Sequence, residues 1–370
     1  MTDEAPVPSR VVRPGPLAAA PPVGYSGPLP EADKERAALS GDLIMGDNGR
    51  KHWIGFDLGG TKMLCLVFDR KFNVVGKARK KTKGAEGADA GLARMIETID
   101  EALQDAKVDR DDVGGIGVGS PGPLDLNKGI VLEAPNLGWR DVPLKDVLEK
   151  KFKCPVAVAN DVDVGTYGEY RFGAGQKARC VVGVFPGTGI GGGCVYDGKL
   201  LRGRVGSCME IGHMLVQPNG RLCGCGRRGC LETVASRLAI AADCAMAAYR
   251  GEAPNLLKAC GTDLANIRSG AIADAIKAGD KAVEKIVRGA AKHLGNAVGN
   301  TINLLAPDVV VLGGGLMEAM KDLYLEEVRD AVSKRAMSSF VKTVDIVSAK
   351  LDDNAGAMGA AALAAELAAE

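Results

Sequence analysis

Two apolar strand pairs, each closed by a glycine-bearing turn, stand more than a hundred residues apart and constrain the fold of this chain more than any other feature. The first spans residues 54–68 through Asp57-Leu58-Gly59-Gly60-Thr61, and the second spans 181–196 through Gly187-Thr188-Gly189-Ile190-Gly191-Gly192-Gly193. Short apolar runs bounded by such turn residues read as buried strands. Further runs at 115–119, 156–159 and 309–312 alternate with helical patterns at 92–106 and 282–305, the latter stopping before Pro307. Strands alternating with helices predict an α/β protein. A repeated strand pair, each copy carrying a flexible turn, predicts two related lobes facing one cleft.

The 370 residues are enough for two lobes. Lys+Arg 47 against Asp+Glu 46 leaves a formal charge of +1, so no broad positive field exists to hold nucleic acid or an anionic membrane, and phosphate binding must be local. No apolar run approaches the roughly 20 residues needed to cross a bilayer, and no signal-like segment opens the chain. These features predict a soluble, cytoplasmic protein. Eight of the 17 prolines fall within the first 30 positions. Residues 1–50 are therefore expected to form a disordered leader, unable to bury enough surface to offset their ordering entropy.

Glycines at 59 and 60, with the hydroxyl of Thr61, let backbone N–H groups approach phosphate oxygens, and Asp57 would then stand where it can hold Mg²⁺ directly or through water. A plain hairpin turn uses the same residues. The run from Gly187 to Gly193 is more demanding, because so many glycines weaken a strand unless something approaches closely. Neither segment is a Walker A loop. Gly313-Gly314-Gly315 follows an apolar run and precedes a helical pattern, the kind of turn that lies against a base or ribose, although tight strand-to-helix turns often use glycine.

His213 with Cys223, Cys225 and Cys230 supplies one imidazole and three thiolates, a closed tetrahedral set for a structural Zn²⁺. A disulfide or a reactive thiol is the competing reading of the cysteines. Asn160-Asp161 ends the apolar run at 156–159, where α/β proteins place ligands. Asp161 could take a proton from a substrate hydroxyl and Asn160 could bond a sugar, or the pair could simply cap a helix.

Taken together these motifs resemble the ROK family of repressors, open reading frames and kinases, and within it the zinc-containing glucokinases. The likeness covers about residues 53–365. It rests on Asp57-Leu58-Gly59-Gly60-Thr61-Lys62, Gly119-Ser120-Pro121-Gly122-Pro123-Leu124-Asp125, Asn160-Asp161, Gly187-Thr188-Gly189-Ile190-Gly191-Gly192, Glu210-Ile211-Gly212-His213 and the cysteine loop ending Cys230-Leu231-Glu232. The resemblance implies a two-lobed actin-like, ribonuclease H-like ATPase fold, with a smaller lobe of 51–165 plus 349–370 and a larger one of 166–348. It implies ATP-dependent phosphorylation of a hexose at the 6-hydroxyl, glucose foremost, with ATP, Mg²⁺ and structural Zn²⁺. Asp161 would be the base, and Asn136, Asn160, Glu210, His213 and Glu232 would contact the sugar, His213 using one ring nitrogen for zinc and the other for substrate. Asp57, Gly59, Gly60, Thr61, Lys62, Gly187, Thr188, Gly189 and Gly313, Gly314, Gly315 would hold the nucleotide. Many relatives pair through the larger lobe, so a homodimer or homotetramer is expected, with the Ala-, Ile- and Met-rich stretch 238–248 a compatible face.

The chain departs from the family pattern at Ser207-Cys208-Met209, where many relatives carry small residues, and Met209 adds bulk beside the sugar pocket. A kinase for N-acetylglucosamine or N-acetylmannosamine shares nearly every motif. A sugar-responsive transcription repressor is the rival from another class, but it needs a helix-turn-helix module that residues 1–50 are too proline-rich to form. Polyphosphate as donor resembles relatives lacking the cysteine loop.

Overall fold

The computed structural model describes residues 52–204, 206 and 208–369, so the leader expected at 1–50 lies outside it, as does Ser207. The first strand pair is β1 (His52–Leu58) and β2 (Lys62–Phe68), antiparallel, followed by β3 (Val74–Lys81), α1 (Ala88–Ala106) and β4 (Val113–Ser120). A small sheet of β5 (Leu124–Asp125), β6 (Ile130–Ala134) and β7 (Trp139–Val142) comes next. Helix α2 (Leu144–Phe152), β8 (Val156–Asn160) and α3 (Asp161–Phe172) complete the first half. The second half runs β9 (Cys180–Pro186), β10 (Ile190–Tyr196), β11 (Lys199–Leu200), α4 (Glu232–Ala235), α5 (Arg237–Tyr249), α6 (Pro254–Cys260), α7 (Ser269–Lys277) and α8 (Lys281–Leu305). It ends with β12 (Val309–Leu312), α9 (Gly315–Arg335, broken at Met320), β13 (Asp345–Ser348) and α10 (Ala355–Leu367).

The two five-stranded sheets have the same order, β3-β2-β1-β4-β8 and β11-β10-β9-β12-β13. In each, two antiparallel pairings precede two parallel ones. The expected strands and long helices are all present, each extending at most a few residues beyond its apolar run. β1, β4 and β9 are buried on nearly every residue, as parallel strands covered on both faces must be. The edge strand β3 instead carries Lys77, Lys80 and Lys81, charges that discourage further pairing.

Separate apolar cores sit on the two sheets, one joining Ile54, Phe56, Ile99 and Val118, the other Val182, Ile240, Leu294 and Tyr324. Between them cross α3 and α10. Gly168 of α3 lies against the backbone of Ala355, and Gly359 of α10 against that of Val164, so either Cβ would meet main-chain atoms. Gly55 and Gly117 give α10 the same close seat on the first sheet, over the backbones of Ala357 and Ala360. The buried carboxylate of Glu169 fastens this seam by accepting from the N–H groups of Ala174 (2.7 Å), Lys350 (2.9 Å) and Leu351 (2.8 Å). Among the described residues no helix is long and apolar enough to cross a membrane.

Candidate active site

Strand register assembles the acidic centre. Asp57 on β1 pairs with Gly119 on β4, and Gly119 pairs with Ala159 on β8, which places Asp57 in one row with the residue two before Asp161. Gly119 matters because a Cβ there would press on Val164 at 2.5 Å and on Asp161 Cα at 3.4 Å. Asn160 is the N-cap of α3, its side-chain oxygen accepting from the N–H groups of Val162 (2.9 Å) and Asp163 (3.4 Å). The capping role anticipated for the pair therefore belongs to Asn160. Its amide oxygen is engaged by these caps, and its NH₂ group donates toward the Asp161 carboxylate, favouring the ionised form.

Burial, then the charge of Asp161, lifts Asp57 to about 7. Asp161 is itself raised, first by burial and also by the charge of Glu210, against hydrogen bonds from the backbone that favour its carboxylate. Asp163, which the sequence reading did not single out, is buried two residues further along α3 and lifted to about 7 by burial, with Arg202 opposing and Asp161 and Glu210 reinforcing. Buried carboxylates acting on one another in this way mark a place prepared for a cation or a proton transfer.

Around this centre the other expected residues fall into three groups. Asn136 lies on the first turn, its Nδ2 2.8 Å from where a Cβ on Gly60 would sit. That turn is closed by Gly59 N–H donating to Lys62 O at 3.0 Å and braced by Thr82 Oγ1 donating to Gly59 O at 2.6 Å. Lys62 itself turns to Asp353, 2.6 Å away in the segment before α10. Glu232, at the start of α4, accepts from Ile190 N–H at 2.9 Å and lies against Gly189, joining the second turn to the cysteine loop. Arg237 grips the same turn, its backbone N–H donating to Gly187 O (2.8 Å) and its guanidinium to Thr188 Oγ1 (2.9 Å). Gly313 and Gly314 pack on Phe185 and Pro186 at the end of β9, Gly314 with a φ of +84°, and Gly315 opens α9 opposite Ser269.

The potential ligand atoms of His213, Cys223, Cys225 and Cys230 lie within 4.8 Å of one another. His213 Nδ1 is 3.6 Å from Cys223 Sγ, and Cys225 Sγ is 3.7 Å from Cys230 Sγ. A tetrahedral zinc with bonds of about 2.3 Å to sulfur and about 2.0 Å to nitrogen has ligand–ligand edges of roughly 3.5–3.8 Å, so the donor set fits that ion. The loop is shaped to bring them together: Cys223 N–H donates to Arg227 O at 2.8 Å, and Gly226 and Gly229 take φ of +82° and +79°. Leu231 N–H donating to Met214 O at 2.9 Å carries this frame to Glu232.

Met209, where the chain departs from the family pattern, adopts a φ of +57°, a conformation costly for a side chain of this size. Its carbonyl would be 2.5 Å from a Cβ on Gly192, so the unusual residue presses on β10 as well as on the approach to Glu210. A concavity of about 560 Å³ elsewhere is lined by Arg221, Asp243, Arg250, Lys285 and His293 among others. Arg221 is paired with Asp243 at 2.6 Å there, and the site lies apart from the acidic centre.

A model of the ROK family matches residues 53–367. Over 315 residues the chain is 36% identical to a glucokinase of Thermotoga maritima, covering 85% of this chain and 97% of that relative. Its fold matches a ROK family glucokinase from Streptomyces griseus, solved in complex with glucose and AMPPNP, with a TM-score of 0.74 and 33% identity over 85% of this chain and 99% of the other. It also matches a ROK family transcriptional regulator, a homologue of the E. coli MLC protein, with a TM-score of 0.74 and 27% identity over 86% of this chain and 78% of the regulator. The paired sheets thus form the two-lobed actin-like fold, and the chain belongs to the ROK family.

Proposed function

We propose that this protein transfers the γ-phosphoryl group of ATP to the 6-hydroxyl of a hexose, glucose foremost, giving ADP and the hexose 6-phosphate. The observation that carries the reading is the pair Asp57 and Asp161, half-buried, both raised in pKa, Asp57 in part by the charge of Asp161, and bordered by two glycine turns. Similarity to glucokinases over most of the chain supports it.

Asp161 is the base. A carboxylate whose pKa is raised by burial accepts a hydroxyl proton more readily than an ordinary one. As the sugar oxygen bonds to the γ-phosphorus, its proton passes to Asp161 and the bond to the β-phosphate oxygen breaks, its electron pair leaving with ADP. Asn136, the Asn160 amide, Glu210, His213 and Glu232 hold the sugar hydroxyls, while Gly59, Gly60, Thr61 and Lys62 with Gly187, Thr188 and Gly189 receive the phosphates. Gly313, Gly314 and Gly315 back the ribose and base. Asp57 would hold Mg²⁺, which supplies neutralisation of phosphate charge. His213, Cys223, Cys225 and Cys230 would hold Zn²⁺ in a structural role, fixing the His213 ring through Nδ1 so that Nε2 faces substrate.

Closure of the lobes 51–165 with 349–370 on 166–348 would exclude water and limit ATP hydrolysis. The exposed Met246 on α5 supports a homodimer, or a pair of dimers, meeting through this helix. Cysteines without disulfides agree with a cytoplasmic enzyme of sugar breakdown.

A coupled ADP-release assay across hexoses and amino sugars tests the proposal. Glucose should give the highest kcat/KM. A preference for N-acetylglucosamine or N-acetylmannosamine by about tenfold or more, some 1.4 kcal/mol of transition-state binding, would move the acceptor assignment. No sugar-dependent ADP release, with sugar-dependent DNA binding instead, would establish the repressor reading.

A further inference from the structure

We propose that Arg237 and Arg268 form a guanidinium clamp on the phosphates of the nucleotide donor, closing over them from the side of the cleft opposite Thr61. The inference rests on the kinase reading and adds two residues to it that belong to none of the motifs above.

A cavity of about 250 Å³ is lined by Thr61, Arg237, Leu238, Leu264, Ala265 and Arg268. Thr61 is the tip of the first glycine turn, and the other five residues come from the second half of the chain. The cavity therefore bridges the two halves where a phosphate chain would enter. Arg237 is held in place by both of its bonds to the second turn, to Gly187 O and Thr188 Oγ1. Arg268 precedes α7, donates from Nε to Ala265 O at 3.2 Å, and adjoins Ser269, whose Oγ is 3.6 Å from where a Cβ on Gly315 would sit. One arginine thus stands at the second glycine turn and the other at the third.

Charge separates these two from the other cations of the cleft. Lys62 and Arg79 both share Asp353, at 2.6 and 3.0 Å. Neither Arg237 nor Arg268 has a carboxylate partner among the described residues. Arg237 is held below the usual arginine range by burial and by the nearby charge of Arg268. Two like charges brought together at a partly buried wall cost free energy that an anion between them recovers. The planar forks suit phosphate oxygens, each able to give two parallel hydrogen bonds. Leu238, Leu264 and Ala265 add an apolar wall, so the matching ligand is an anion with an apolar body, as a nucleoside di- or triphosphate is. Arg237, beside Thr188, meets the phosphates nearest the transfer, and Arg268, beside the Gly315 turn, meets those nearest the ribose.

The test uses the full-length protein with Arg237→Met, Arg268→Met and the corresponding lysine variants. ADP release is measured against MgATP at saturating glucose and against glucose at saturating MgATP, and calorimetry compares ADP with adenosine. Each methionine variant should raise the KM for ATP and weaken ADP binding about tenfold or more, leave adenosine binding and the KM for glucose within about twofold, and be partly rescued by lysine. An active wild type with methionine variants whose ATP KM stays within about twofold would overturn the clamp alone. Equal losses toward ADP, adenosine and glucose would also overturn it, by showing a structural role. A wild type with no sugar-dependent ADP release would overturn the kinase reading and the clamp with it.

Discussion

The two sheets share one strand order, yet their glycine turns are supported in different ways. The turn after β1 is closed by its own backbone and braced by Thr82, with Asn136 against Gly60. The turn after β9 is gripped from outside, by Glu232 and Arg237 at the end of the cysteine loop. On the proposed reading, a duplicated scaffold presents two similar phosphate-facing turns, while Glu210, His213 and Glu232, three of the five proposed sugar contacts, come from the long insertion between β11 and β12 of one copy. The expected consequence is a division of labour: damage to the insertion should show in sugar kinetics, and damage to the seam between halves should show in stability.

The largest effect should come from the seam. Replacing Glu169 with Ala leaves three backbone N–H groups without their buried acceptor and should lower unfolding stability by about 3–5 kcal/mol. Denaturant unfolding monitored by both far-UV and tryptophan signals would register it. Loss below about 1 kcal/mol would mean the halves are held by their cores, and the seam would lose its place in the comparison.

Removing the metal should act on one half only. Stripping zinc with a chelator, or Cys223→Ser, should raise the KM for glucose by about tenfold and the KM for ATP by clearly less, because the loop carries Glu232 and His213 themselves but only braces the second phosphate turn from outside. Metal analysis of protein purified without chelators should find one zinc per chain. Equal effects on both substrates would erase the proposed division.

A smaller effect belongs to Asp163. Its folded pKa of about 7 lies above the ordinary carboxylate value, so it opposes folding increasingly as pH rises from about 4 to 7 and by a constant amount above that. Asp163→Asn should therefore stabilise the ligand-free protein at pH 8 by on the order of 1 kcal/mol, with little gain at pH 4. A melting-temperature gain independent of pH would show that the carboxylate is not penalised by this surrounding.

How much of this was legible beforehand follows from the kind of signal each element carries. β1, β2, β4, β8, β9 and β12 announce themselves as continuous apolar runs, and α8 shows a helical period over 25 residues. β3 escaped notice because lysines interrupt its apolar pattern, and β5–β7 because two to five residues give no period to read. α10, Ala355–Leu367, is nearly all small and apolar, so it shows no face, and its role in the seam follows from tertiary glycine contacts. At the site, motif residues such as Asp57, Asp161 and the cysteine set could be picked out by type and spacing. Glu169, Asp163, Arg237 and Arg268 could not, since a single charged residue signals nothing until register and burial supply its neighbours.

Asp161 carries the proposed chemistry more directly than any other residue. Steady-state ADP release by Asp161→Asn at saturating glucose and MgATP should fall at least about 10²-fold in kcat, while glucose binding by calorimetry and the melting temperature change little, because the substitution removes a base and few atoms. The acid limb of the wild-type pH profile should lie above the ordinary carboxylate range, as the raised pKa of Asp161 requires. A variant that kept most of its kcat would contradict the assignment of Asp161 as the base, and with it the central claim about this cleft.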